Sequence, residues 1–125
     1  MNGLLFLESE LFQKWVKKSR LRSAVADLRE ELTADPEAGD VIPGSGGLRK
    51  VRMAGAGAGR GKRGDFRVVY VLMVNRAVAM LLDGYSKSQK EDVSAEELAR
   101  LIALAAAMRP RAEQLVREAN RLAAN

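Results

Sequence analysis

Two apolar runs, residues 66–74 (FRVVYVLMV) and 77–85 (AVAMLLDGY), are separated by only Asn75 and Arg76. Both are rich in β-branched and aromatic residues, and asparagine tolerates the left-handed backbone that a tight hairpin turn requires. The pair therefore predicts a β-hairpin at the centre of the fold. Its strands carry apolar side chains on both faces, so at least one face has to be covered by other elements. The uninterrupted apolar stretches, 68–74 and 77–82, fall far short of the roughly 20 residues a membrane helix needs.

Other elements are arranged around that hairpin. Residues 4–7 form a short apolar run that suits a first strand. Leu11, Phe12, Trp15 and Val16, then Leu21, Val25, Leu28 and Leu32, recur at helical spacing, with a break near residues 18–20 that divides two helices or bends one. Phe12 and Trp15 read as core. Pro36 restricts Asp35 and stops the helix, and residues 38–47 (AGDVIPGSGG) carry the signals of a loop. A strand at 48–53 follows, then a glycine–alanine connection over 54–64. Ser94 with Glu97 three residues later is a capping box opening a last helix, with Leu98, Leu101, Ile102, Ala105 and Met108 on one face. Pro110 is expected to kink or divide that helix. Helices grouped ahead of hairpin-linked strands predict an α+β fold on an antiparallel sheet. At 125 residues the chain is expected to be one domain, and it has no internal repeat.

Charge is distributed unevenly. Residues 47–76 hold eight cations (Arg49, Lys50, Arg52, Arg60, Lys62, Arg63, Arg67, Arg76) and one acid, Asp65, for a net +7. The other 95 residues hold 13 basic and 15 acidic side chains, net −2. A one-signed block threaded through strands points to a polyanion, and nucleic acid is the expected one. The chain has no cysteine and no histidine. Disulfides, cysteine-based zinc sites, a histidine general base and most catalytic zinc sites are thereby excluded. The N-terminus lacks a basic segment ahead of its short apolar run, so a signal peptide is not expected, and a cytoplasmic location is.

Within the block, Gly59-Arg60-Gly61-Lys62-Arg63-Gly64 spells G-x-G-x-x-G, but it follows a loop and enters a strand. A dinucleotide site needs a strand before it and a helix after it. Gly61-Lys62 resembles the end of a Walker A loop, yet Ala56 and Arg63 stand where glycine and serine or threonine belong. No nucleotide cofactor is expected; a hairpin connection with a basic tip is. Lys50 and Arg52 share one face of their strand. Arg67 lies beside them if residues 52 and 67 pair across the connection. Three such cations repel and do nothing for sheet stability, and no neighbouring acids are evident to compensate them, so a phosphate site is favoured over a merely solvated sheet face. Asp83, Tyr85, Lys87 and Lys90 form a second group; an aromatic among cations suits unstacked RNA bases, whereas a tyrosine ending a strand is ordinarily half-buried core. Asp65 and Asp83 are too scattered to argue for a metal.

The strings ADPEAGDVIPGSGGLRKVR, GRGKRGDFRVVY and LLDGYSKSQKEDVSAEEL closely resemble the RelE/ParE superfamily of bacterial toxins, in particular its HigB-like branch. The resemblance implies a toxin domain over residues 1–108, with 109–125 as a helical extension. It implies the toxin half of a type II toxin–antitoxin pair, a metal-independent endoribonuclease that cuts mRNA on the ribosome. Its implied partners are the ribosome, mRNA and a cognate antitoxin of helix-turn-helix, HigA-like type, with no membrane. By position, Lys50, Arg52 and Arg67 match the family's catalytic basic residues, and Tyr85, Lys87 and Lys90 fall in a segment with further site residues. Arg49, Arg60, Lys62 and Arg63 suit RNA contacts. The Ala–Gly run at 54–59 and the longer C-terminus depart from the family pattern.

Metal-free cleavage requires a base for the 2′-hydroxyl, cations for the phosphorane charge and an acid for the leaving 5′-oxygen. Arginine holds its proton, so Arg52 and Arg67 can only stabilise charge. A lysine crowded by cations is the expected base, either Lys50 or Lys87. Tyr85 is left to stack a base or supply a proton. Two other readings stay open: a ParE-like inhibitor of DNA gyrase, and a catalytically inactive RNA-binding relative.

Overall fold

The structure is a computed structural model that describes residues 3–53 and 65–124. The connection at 54–64, with Arg60, Lys62 and Arg63, lies outside the described residues. In chain order the elements are β1 (Leu5–Glu8), α1 (Glu10–Ser19), α2 (Arg22–Ala34), β2 (Asp40–Val41), β3 (Arg49–Met53), β4 (Phe66–Met73), β5 (Val78–Ser86) and α3 (Ala95–Ala123). The five strands form one sheet in the order β1-β5-β4-β3-β2.

The central hairpin is β4–β5, and its side chains alternate between two cores. Phe66, Val68, Tyr70 and Leu72 join the cluster built on α1 and α2, with Phe12, Leu28 and Leu32. Val69, Val71 and Met73 join the cluster built on α3, with Leu101, Ala105 and Met108. Burial on both faces is why these strands lack polar alternation. The hairpin connection is longer than Asn75 and Arg76 alone. Val74, Asn75 and Arg76 all have positive φ (55°, 54° and 67°), and the Ala77 amide donates to the carbonyls of Met73 and Val74, each at 3.1 Å. A β-branched residue in that region is strained; only the asparagine was a recognisable signal.

The α+β class is observed, and the sheet is mixed. β2, β3, β4 and β5 are antiparallel, whereas β1 pairs parallel with β5, Leu5 opposite Val78. A single residue, Ser9, separates β1 from α1. Its hydroxyl accepts from the Phe12 amide at 2.9 Å and donates to the Leu82 carbonyl at 2.6 Å. One side chain thus caps α1 and ties β1 to the hairpin, so α1 starts directly over β5. α1 ends at Arg20, which is left-handed (φ 58°), dividing it from α2.

Residues 38–47 were expected to be loop throughout, but Asp40 and Val41 pair with Lys50 and Arg49. A two-residue edge strand amid glycines and a proline has no periodicity to reveal it. At the other end of the chain, the Ser94–Glu97 capping box is present in full. Pro110 does not divide α3, which is continuous for 29 residues. Beyond the proline, Ala112 is fully buried and Leu115 and Val116 pack on the same core. Packing of this apolar stripe outweighs the one hydrogen bond that proline removes.

Candidate RNA-cleavage site

Register brings the predicted cations together. Arg52 faces Arg67 across β3 and β4, and Arg67 faces Tyr85 across β4 and β5. Lys50, two residues from Arg52, is opposite Val69, which is opposite Asp83. Lys50, Arg52, Arg67 and Tyr85 therefore share one sheet face, the one that α3 covers further along. They lie at the end of that face where β3 ends, β4 begins and the turn after β5 follows. A register shift between Val69 and Tyr70 leaves Leu82 without a cross-strand partner in the β4–β5 register. That extra residue is what brings both Asp83 and Tyr85 onto the cation-bearing face.

Contrary to the sequence reading, compensating acids are present. Each of the five described cations of the basic block has a carboxylate partner. Lys50 Nζ donates to both Asp92 oxygens at 2.9 Å. Asp65 receives Arg67 and also faces Arg52 Nε at 3.6 Å. Glu37 pairs with Arg76 and lies 3.7 Å from Arg49. Two of the three acids, Glu37 and Asp92, come from outside the block, so the fold neutralises what composition left unbalanced. The Arg67 hydrogen bond holds the Asp65 carboxyl below its usual range, and the Lys50 hydrogen bond does the same for Asp92.

The remaining predicted residues divide. Lys87 sits at the site, its amide on the Asp65 carbonyl at 3.0 Å and its ammonium 3.6 Å from Glu91. The nearest charges to Lys50 and Lys87 are thus carboxylates, not the crowd of cations expected around a catalytic base. Lys90 lies 5.1 Å from the centre of the Tyr85 ring and pairs with Glu97 at 2.5 Å. Tyr85 is only 6% exposed, and its hydroxyl donates to Asp92 at 3.3 Å. Burial, helped by Asp92, pushes this phenol up to about 12. The ring is a core residue of the α3 layer, so its face is closed to a stacking base in this structure, and its hydroxyl stays protonated. Arg49 points the other way, donating to the Gly39 carbonyl at 2.6 Å and the Glu37 carbonyl at 3.3 Å. It clasps the segment before β2 and lies apart from the Lys50–Arg67 group. Asp83, raised by burial, accepts the Gly84 amide at 2.8 Å.

Asp92 was not identified from sequence. It binds Lys50, Tyr85 and the Val93 amide (2.7 Å) together, yet it lies 42 residues from Lys50 in an undistinguished polar stretch. No three histidine, cysteine, aspartate or glutamate side chains converge among the described residues.

Comparison with known proteins places the chain. The family model described as "RelE toxin of RelE / RelB toxin-antitoxin system" matches residues 6–122. Among solved structures, a mutant of the E. coli toxin RelE in the free state is similar, at 17% identity and a TM-score of 0.48, over 71% of this chain and 88% of that one. With nearly its whole length matched by the family model, the chain belongs to the RelE toxin family.

Proposed function

We propose that this chain is the toxin of a type II toxin–antitoxin pair and arrests translation by cutting mRNA on the ribosome. The observation that carries this reading is the Arg52–Arg67 cross-strand pair with Lys50 on the same face. Like charges directly opposite each other destabilise a sheet, and here two arginines share a single acid, Asp65. A phosphate entering between them gains two fixed guanidinium partners, suited to the charge of a pentacoordinate phosphorus.

In this reading the 2′-oxygen attacks the adjacent phosphorus as its proton passes to one of Lys50 and Lys87 in its neutral amine form. The bond from phosphorus to the 5′-oxygen breaks, and the other lysine, as ammonium, gives its proton to the departing 5′-oxygen. Arg52 and Arg67 hold the non-bridging oxygens. Neither step requires a metal. Both amines are held by carboxylates in the free protein, so substrate has to rearrange Asp92 or Glu91 before reaction. Little cutting of free RNA is expected, with the ribosome supplying the orientation. Tyr85 keeps Asp92 in place, and Lys90 covers its ring. Arg60, Lys62 and Arg63 would contact RNA. The antitoxin is proposed to be helix-turn-helix and HigA-like, and the site of action the cytoplasm; no helix among the described residues is long and apolar enough to cross a membrane.

The test is to induce the protein and map the 5′ ends of cellular mRNA. New ends in register with codons support the reading. DNA damage without such ends indicates a gyrase-directed toxin, and RNA binding without cleavage an inactive relative. Lys50→Ala, Arg52→Ala and Arg67→Ala should each abolish cuts and growth arrest; arrest by all three variants would show the site to be misassigned.

A further inference from the structure

The net −2 of the residues outside the basic block is an average that hides a second basic segment. From Leu11 to Ala26 there are five cations, Lys14, Lys17, Lys18, Arg20 and Arg22, and no acid. These residues form the exposed corner where α1 turns into α2. All five are exposed, and none has an ion-pair partner among the described residues. The contrast with the sheet cations, every described one of which is paired, is complete. α3 also carries unpaired arginines, but there Arg109, Arg111 and Arg117 alternate with Glu113 and Glu118. These unpaired cations belong to the α1–α2 side of the sheet, whereas the Lys50–Arg67 group is on the face that α3 covers.

Folding accounts for only part of this set, Lys14 lying four residues after Glu10 in the helix. Lys17 and Lys18 suit the last turn of α1, where the helix end is negative. Lys14 repels both at helical spacings of three and four. Arg22 opens α2, the positive end of a helix, whose first turn has no acid. Arg20 occupies a left-handed position that glycine fills with less strain (φ 58°). The corner is also concave: Val16, Lys17 and Arg22 line two adjoining clefts of about 430 and 560 Å³, the first of which also holds the Glu8–Arg29 ion pair. The exposed large apolar side chains, Leu11, Val41, Ile102 and Leu122, line neither cleft. A protein segment would want such anchors. A phosphate backbone needs only charge and donors.

We infer that the α1–α2 corner is a docking surface for the sugar–phosphate backbone of structured RNA, separate from the cleavage face. It rests on the proposed function only for the choice of RNA as the polyanion. Binding of a labelled RNA stem-loop with no single-stranded tail, measured against salt, tests it. Joint replacement Lys17→Ala, Lys18→Ala and Arg22→Ala should weaken binding at least tenfold and flatten the log–log salt slope by about 3, near one per lost phosphate contact. Arg20→Gly supplies a variant that does not threaten the fold: it should leave thermal stability unchanged or higher and still weaken binding. Lys50→Ala with Arg67→Ala should leave stem-loop affinity within twofold. Unchanged affinity and slope in both corner variants would overturn the inference, as would corner-dependent binding of polyglutamate with none of the stem-loop. Failure of mRNA cleavage by the unaltered protein would sink the proposed function while leaving this binding result to stand by itself.

Discussion

Gly84 offers the sharpest test of how the candidate site is supported. It sits on β5 between Asp83 and Tyr85, with Trp15 of α1 lying directly on its Cα. A Cβ built there would fall 2.2, 2.4 and 2.5 Å from the indole atoms Cζ3, Cε3 and Cη2. Carbon atoms in contact rest at about 3.5–4.0 Å, so Gly84→Ala forces the indole back by more than an ångström. Retreat is obstructed because the ring is flanked by Phe12 and Phe66, each 6.0 Å between centroids, and Phe12 is fully buried. Overpacking of this kind costs about 1–3 kcal/mol, and the contact distances place this case near the upper end. Removing a strand glycine returns about 0.5–1 kcal/mol of backbone entropy, leaving a net loss of about 2 kcal/mol. With an unfolding entropy near 2.1 cal/mol/K per residue, that corresponds to a Tm lower by about 8 °C. The assay is thermal and urea unfolding of four proteins: the parent, Gly84→Ala, Trp15→Ala and the double variant. If the indole is the obstacle, Gly84→Ala costs almost nothing once Trp15 is alanine, a coupling of about 2 kcal/mol in the cycle. Equal losses in both backgrounds would refute the reasoning.

Two further outcomes follow from the charges. Asp92→Asn frees Lys50 of an exposed ion pair worth about 0.2–1 kcal/mol, so RNA affinity should rise by up to about fivefold in a filter-binding assay; weaker binding would show that Asp92 supports the substrate instead of competing with it. Because the folded Asp92 carboxyl titrates below a free aspartate, the pair adds stability above the unfolded value and loses it as pH falls through the folded one. The acid limb of stability against pH should accordingly be shallower in Asp92→Asn. The chain has only two tyrosines, and burial raises both, Tyr85 to about 12. Titrated at 295 nm, the folded protein should show little phenolate at pH 10, where a free tyrosine is half ionised. The linked stability is present below pH 10 and lost as pH climbs through the folded values. A half-complete transition at pH 10 in folded protein would contradict the burial assigned to Tyr70 and Tyr85.

Local patterns announced much of this protein. The hairpin of β4 and β5 was legible because residues buried on both faces leave a nearly unbroken apolar run. The helices were legible from their 3.6-residue stripes, and the start of α3 from Ser94 and Glu97. The i, i+2 spacing of Lys50 and Arg52 by itself puts both on one face. Arg67 joined them on an expectation of register that pairing across β3 and β4 then met. Less legible were features whose energy comes from residues far apart. β2 is two residues held by β3, and the parallel placement of β1 depends on Ser9 reaching Leu82. Pro110 left open whether the last helix is kinked or divided because propensity is local, whereas the burial of Ala112 behind it, which keeps α3 in one piece, is not.

Sequence alone thus determined the fold class, the family resemblance and which cations could share a face, all consequences of periodicity and order along the chain. Only the tertiary structure decided the electrostatics. Coulomb interactions act through space, so counting charges along the chain left the 47–76 block looking bare, although Glu37, Asp65 and Asp92 fold onto every described cation in it. The same folding leaves five cations of α1, α2 and the corner between them without an ion-pair partner, where the sum over the rest of the chain had shown a small negative charge.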